Sequence, residues 1–322
     1  MKLPVTPTKE DGTQRRVGVE IELGGLGPAP IGACLQAVFG GRVRSKNRFA
    51  LTVENTELGD FLVELDAQQL RELGDKIEHD DAAASKVESV SADWLTKAIE
   101  QFVPWEVVTG PLTLTQLARL PAAVAALRAA GALGTRHAFR FAFGVHFNPE
   151  LPDLKAETIL AYMRAFFCLY DWIAERENID LVRRLTPYIN HFDRDYICKI
   201  LAADYQPDLA TLCDDYLDAN PTRNRSLDML PLFAHLDPQR VQSRLDDPLI
   251  KARPTLHYRL PNCDIDNPRW NLDKPWDDWL AVEALAADAD KLRDICSCYR
   301  DHLVSLTGIF EEGWASQSRR WL

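Results

Sequence analysis

The most regular alternation near the start of the chain sets Val17, Val19, Ile21 and Leu23 between Gly18, Glu20 and Glu22. A period of two belongs to a half-buried strand, so the apolar four turn toward a core and both glutamates share the opposite face. Their Cα atoms would stand roughly 7 Å apart, one two-residue repeat of a strand. Phe49, Leu51 and Val53 predict a second strand. Phe61, Val63 and Leu65 predict a third, with Asp60, Glu64 and Asp66 on its other face. A short strand at 105–108 would point Glu106 away from Trp105 and Val107. The clearest alternation runs from Phe139 through Phe141, Phe143 and Val145 to Phe147, leaving Arg140, Ala142, Gly144, His146 and Asn148 on the polar side. A one-residue slip there would expose every large apolar group, which fixes the facing. The last strand, at 253–262, sets Leu256, Tyr258 and Leu260 against His257 and Arg259.

Between these strands the period lengthens to that of helices. Helices are expected at 31–39, at 154–175 with Ile159, Met163, Phe166, Phe167 and Tyr170 on the apolar side, and at 276–287 and 290–306. Thr113 and Gln116 form a capping-box signature ahead of Leu114, Leu117, Leu120, Val124 and Leu127, and Gly131 supplies the stop. Two further stretches, 68–91 and 92–102, read as helical in whole or part. The segment 180–250 reads as mostly helical, with a polar loop at 220–225 before a helix-like 227–236. Residues 1–14, rich in Pro, Thr and charge, read as an irregular arm before a single domain over 15–322, with a helical insertion at about 151–250.

With 322 residues, 46% of them hydrophobic, the chain can bury a sizeable core. A formal net charge of -11 argues against nonspecific nucleic-acid binding, because no basic excess exists to neutralise phosphates. Seven cysteines lack metal-ligand or disulfide spacing, which suggests reduced thiols in a cytoplasmic protein. The start lacks the apolar core of a signal peptide, and no apolar run reaches membrane-spanning length, so no membrane association is expected.

Two carboxylates on one strand face repel unless a cation lies between them, and hard divalent ions favour such oxygens. A lone E-x-E strand is nevertheless more often a solvated outer face. His146 is open in the same way: a single His is usually structural, yet Gly144 beside it leaves room for a ligand. Arg223 and Arg225, in a loop at a helix start, suit an anion clamp as well as ion pairs with the aspartates just upstream.

Taken in order, the segments RRVGVEIELGGL at 15–26, WEVVTGPL at 105–112, GVHFNPE at 144–150, NPTRNRSLDMLPLF at 220–233 and RPTLHYRLPN at 253–262 resemble the amidoligase family. That family belongs to the carboxylate–amine ligases that share the fold of glutamine synthetase and glutamate–cysteine ligase. The resemblance implies an α+β fold: a curved, mainly antiparallel sheet of about six strands with a polar concave face and helices packed on the other face. It implies that Glu20, Glu22, Glu106 and His146 bind divalent metal beside ATP. On the last strand the superfamily carries Glu-x-Arg; Arg259 matches, but His257 stands at the Glu position, as a replacement ligand or as a sign of looser metal binding. Arg223, Arg225 and Arg259 resemble phosphate-binding arginines, Asn148 lies in the nucleotide-side motif, and Asp66 resembles a recurrent acidic position of unassigned role.

The implied activity is ATP-dependent, with Mg²⁺ or Mn²⁺, and forms an amide or peptide bond through an acyl phosphate. Its substrates would be a small-molecule or peptide carboxylate and an amine, with a glutamine amidotransferase as a conceivable partner. Oligomeric state is open, since related ligases range from dimers to large rings. Two other classes fit parts of the pattern. A metal-dependent hydrolase would use the same Glu and His residues without ATP. A non-catalytic binding protein would retain the fold but not bind Mg-ATP.

Overall fold

In the computed structural model, which describes residues 1–66, 103–135, 143–179, 191–305 and 313–322, the first alternation becomes strand β1 (Arg16–Leu23). Val17, Val19, Ile21 and Leu23 are all buried, as the two-residue period requires. Helix Pro28–Phe39 follows, beginning earlier than expected because Pro is well suited to a first helical turn. A hairpin of β2 (Arg42–Asn47) and β3 (Ala50–Thr56) leads into β4 (Gly59–Leu65). Then come β5 (Trp105–Thr109) and the two-residue β6 (Leu112–Thr113).

The chain divides into two compact units. The first comprises Gly18–His146 and Asn262–Asn271. Its strands run in the order β2-β3-β4-β5-β1, each pair antiparallel, with β6 also against β1. Register lines up one apolar row, Ile21–Val107–Val63–Leu51. The next row is Glu22–Glu106–Glu64. Helix Pro28–Phe39 covers the apolar face: a Cβ on Gly32 would come within 3.2 Å of Leu51 and 3.3 Å of Val43. Phe39 stacks on Phe61 at 5.6 Å between ring centroids.

The capping box is formed as read, Thr113 Oγ1 accepting from the Gln116 backbone N–H and Gln116 Oε1 from that of Thr113. The helix expected over 114–127 is, however, split into Leu114–Leu117 and Pro121–Ala129. Pro121 has no N–H to donate and opens the second piece. Gly131 follows at φ 100, a left-handed geometry that favours glycine.

The second unit comprises Met1–Val17, Phe147–Pro261 and Leu272–Leu322. Its ladder is short: Phe147 of β7 (Val145–Pro149) pairs with Tyr258 of β9 (His257–Tyr258), which also meets Leu227 of β8 (Leu227–Asp228). The strand expected over 253–262 thus contracts to two residues, flanked by a bridge between Glu150 and Thr255. Residues 227–236 are not one helix either. Leu227 and Asp228 pair with β9, and helix Leu230–Leu236 starts only after Asp228 Oδ1 accepts the Leu230 backbone N–H at 2.9 Å. Nine strands are found among the described residues where about six were expected. The extra ones are the polar, exposed β2 and the two-residue β6 and β8, which carry no hydrophobic period.

The long helix is Ala156–Arg176, packed on helices Asp273–Ala286 and Ala289–Val304, with Ile159, Met163, Phe166 and Phe167 fully buried. Phe166 meets Tyr258 edge-on at 5.9 Å, which ties the helix to β9. The expected helices at 68–91 and 92–102, residues Phe139, Arg140, Phe141 and Ala142 of the expected strand, part of the helical 180–250 segment, and Leu306 lie outside the described residues. Among the described residues no helix is long and apolar enough to cross a membrane. All seven cysteines are free thiols, four of them buried.

The arm at 1–14 is anchored rather than loose. Arg15, buried, donates through Nη1 and Nη2 to both carboxylate oxygens of Glu283, at 2.7 and 2.6 Å, and through Nη1 to Thr6 O at 2.8 Å. Trp279 Nε1 donates to the same Glu283 at 2.8 Å. Removing one partner of such a pair strands a buried charge, so Glu283→Ala should lower unfolding stability by about 3–5 kcal/mol in a urea titration.

A second buried acid is set the opposite way. Burial pushes the Glu177 carboxyl up to about 7; Lys274 at 3.2 Å opposes the shift and Asp278 adds to it. A carboxyl raised from 4.5 stabilises the fold fully below that pH, and the benefit is lost as pH rises through 7. Glu177→Gln should therefore stabilise the protein at pH 8, by about 1–3 kcal/mol, and leave thermal unfolding at pH 4 nearly unchanged.

Candidate metal centre and arginine set

The acidic row of the first unit arises because the apolar row next to it must face inward. Glu22, Glu106 and Glu64 lie directly opposite one another on three adjacent strands, and like charges so placed repel. Glu20 enters from the same strand face as Glu22 and is hydrogen-bonded to Glu106. His146 is wedged among them: Nδ1 lies 3.1 Å from Glu20 Oε2 and Nε2 3.5 Å from Glu22 Oε1. Glu22 is held by Gly144, whose backbone N–H donates to Oε2 at 2.6 Å while the Glu22 N–H donates to Gly144 O at 3.0 Å. A glycine at that point lets the backbone approach the carboxylate closely.

Glu106 is only half-buried as a residue, yet its carboxyl titrates well above the usual carboxylate range. Desolvation is the main cause, followed by the charges of Glu20, Asp66 and Glu22. Asp66 is thereby part of the same electrostatic group; its backbone N–H donates to Pro104 O at 3.1 Å, which places the end of β4 beside the start of β5. The structure thus brings Glu20, Glu22, Glu106, His146 and Asp66 together within one unit.

This donor set fits a divalent cation. One ligand atom each from Glu22, Glu106 and His146 lie within 4.8 Å of one another. A neutral imidazole carries one N–H, so in that form one of the two ring nitrogens would turn a lone pair toward a carboxylate. Acceptors facing acceptors are relieved by an ion that takes the oxygens and the nitrogen together.

The second unit holds the cations. Asp228, fully buried, is surrounded by positive charge: burial lifts its carboxyl to about 6, and Arg259, Arg223 and Arg253 counter that lift together with the Leu230 N–H. Arg259, also buried, donates to Arg223 O at 2.8 Å. Arg253 Nη2 donates to Asn148 Oδ1 at 2.7 Å, so Asn148 is engaged in fixing an arginine. His257 Nδ1 lies 3.8 Å from Asp228 Oδ2.

Arg223 and Arg225 do not act as a side-by-side pair. Arg223 lies 3.8 Å from Asp247, whereas Arg225 donates to His191 O at 2.6 Å and covers the Phe192 ring at 5.5 Å. Residues two apart share a face only where the chain runs regularly extended, and this loop bends at Thr222 and Arg223. Three residues of these clusters carried no role in the sequence reading. Arg253 opens the RPTLHYRLPN segment, Asp228 sits within NPTRNRSLDMLPLF, and Glu64 appears only as one polar position of a strand. Strand pairing, which joins Glu64 to Glu106 and Asp228 to His257, is the signal that one strand at a time cannot give.

Against known proteins, no curated sequence and no solved structure matches the chain. A family model does, over residues 13–281, and its description is "Putative amidoligase enzyme". That span takes in β1, β5, β7, β8 and β9 with every carboxylate, histidine and arginine of the acidic row and of the arginine set. The chain therefore belongs to the amidoligase family, and it is an enzyme of the ligase type.

Proposed function

We propose that this amidoligase joins a carboxylate to an amine at the expense of ATP, with a divalent cation, Mg²⁺ or Mn²⁺, as cofactor. The observation that carries the reading is the convergence of Glu20, Glu22, Glu106 and His146 on one strand face. A free carboxylate is anionic and resists an amine, so it must first be activated. Its oxygen attacks the terminal phosphorus of ATP, the bond to ADP breaks, and an acyl phosphate results. The amine nitrogen then attacks the acyl carbon, phosphate leaves, and nitrogen loses a proton to give the amide. Catalysis of phosphoryl transfer rests mainly on positioning and charge neutralisation.

Within that scheme Glu20, Glu22, Glu106 and His146 would hold the cation, and Asp66 and Glu64 would set the field around it. A divalent ion held there would supply charge neutralisation for the phosphates of ATP. Within the second unit, Arg223, Arg253 and Arg259 form a guanidinium set suited to phosphate oxygens, and Asn148 holds Arg253 in place. Arg225 has a packing role, spread over Phe192. A glutamine amidotransferase partner, supplying ammonia, remains compatible with this chemistry.

The direct test is ADP release measured across a matrix of carboxylates and amines, with mass detection of the coupled product. Glu20→Gln should reduce ATP-dependent turnover on the order of 10²–10³-fold while leaving the thermal unfolding curve in place. Full turnover in that variant would reduce Glu20 to a surface group. By the same assay Arg259→Lys should also lose rate, because an ammonium cannot reproduce the planar two-pronged donation of a guanidinium.

A further inference from the structure

Antiparallel pairing sets Asp228 of β8 directly across from His257 of β9. Both side chains are buried, at 1% and 5% exposure, so what each meets is protein rather than water. The two oxygens of Asp228 are used differently. Oδ1 accepts the backbone N–H of Leu230 at 2.9 Å, where helix Leu230–Leu236 begins. Oδ2 has no hydrogen-bond donor among the described residues and faces His257 Nδ1 at 3.8 Å. A buried carboxylate oxygen without a donor is costly, and the imidazole is the group placed to relieve it.

We infer that Asp228 is a positioning residue for His257, holding the imidazole with its proton on Nδ1 so that Nε2 is offered as a lone-pair donor to a cation. The other tautomer would set a nitrogen lone pair against a carboxylate oxygen. The hydrogen-bonding partner of one ring nitrogen decides which nitrogen can bind metal, and a carboxylate behind a ligand histidine also raises its basicity. Arg223, Arg253 and Arg259 lie around the same carboxylate. None donates to Oδ2, so they offset its charge without competing for the oxygen that meets His257. An imidazole ligand suits Mn²⁺ better than Mg²⁺, since Mg²⁺ favours an all-oxygen shell. The ligand half of this inference rests on the proposed metal-dependent reaction, whereas the tautomer does not.

The test uses the full chain without ATP or substrates, with ¹⁵N-labelled histidine. Long-range ¹H–¹⁵N spectra at pH 8 report the tautomer, and the His257 signals are those lost in His257→Gln. Wild type should show Nδ1–H at His257. Asp228→Asn keeps an oxygen for the Leu230 N–H but can turn its amide N–H toward Nδ1, so His257 should change to Nε2–H while thermal unfolding stays put. Mn²⁺ affinity, followed by the electron paramagnetic resonance of the free ion, should weaken about 10–100-fold in the same variant. His257 in the Nε2–H form in wild type, or unchanged by Asp228→Asn, would overturn the positioning role. A changed tautomer with unchanged Mn²⁺ affinity would overturn the ligand role. Absence of Mn²⁺ binding in wild type would instead count against the proposed function, and leave the tautomer to be judged by its own spectrum.

Discussion

Like charges held side by side are the constraint on which the first unit depends. Ile21, Val107, Val63 and Leu51 line up across four strands and must face the helix Pro28–Phe39. The pleat then forces the next row, Glu22, Glu106 and Glu64, onto the opposite face. No slip of register relieves the repulsion without exposing the apolar row. The hydrophobic effect thus stabilises an arrangement that electrostatics alone would reject, and under the proposed function the stored repulsion would become affinity for a cation. His146 and the backbone of Gly144 complete the grip on Glu20 and Glu22.

The second unit answers a different problem, the burial of polar groups without water. Arg15 and Glu283 meet through two parallel hydrogen bonds, and Trp279 adds a third donor to the same carboxylate. Asp228 is kept in a buried place by a backbone N–H, three arginines and a histidine. These arginines are therefore held in defined positions before any ligand arrives. That preorganisation is what the proposed phosphoryl transfer would ask of a protein.

Much of this was legible in the sequence where one strand or helix carries its own period. Val17 to Leu23, Trp105 with Val107, the 154–175 helix and the Thr113 capping box all formed as their patterns required. Glu20, Glu22 and Glu106 stand on the polar side of such strands, and it is the family resemblance that groups them with His146. What stayed hidden depends on pairing between distant segments. Asp228 reads as helical until Leu227 and Asp228 are seen to pair with β9, and Arg253 reads only as the first residue of a strand until Asn148 receives its guanidinium. Both faces of β7 and β9 are buried, so alternation there could not separate core from site. The anchoring of the arm at 1–14 comes from Arg15 and Glu283, residues 268 positions apart, a pairing that no local period shows.

Whether a cation resolves the acidic row can be decided by heat. Glu106 has its carboxyl raised above 4.5 by burial and by Glu20, Asp66 and Glu22, so its share of stability is present below that pH and lost as pH rises through the folded value. Metal-free protein should therefore gain from Glu106→Gln at pH 7.5, and only the wild type should gain from added Mg²⁺ or Mn²⁺. A melting temperature that the ions leave unchanged, or a Glu106→Gln variant less stable than wild type without metal, would contradict the claim that repulsion on this strand face is held for a metal.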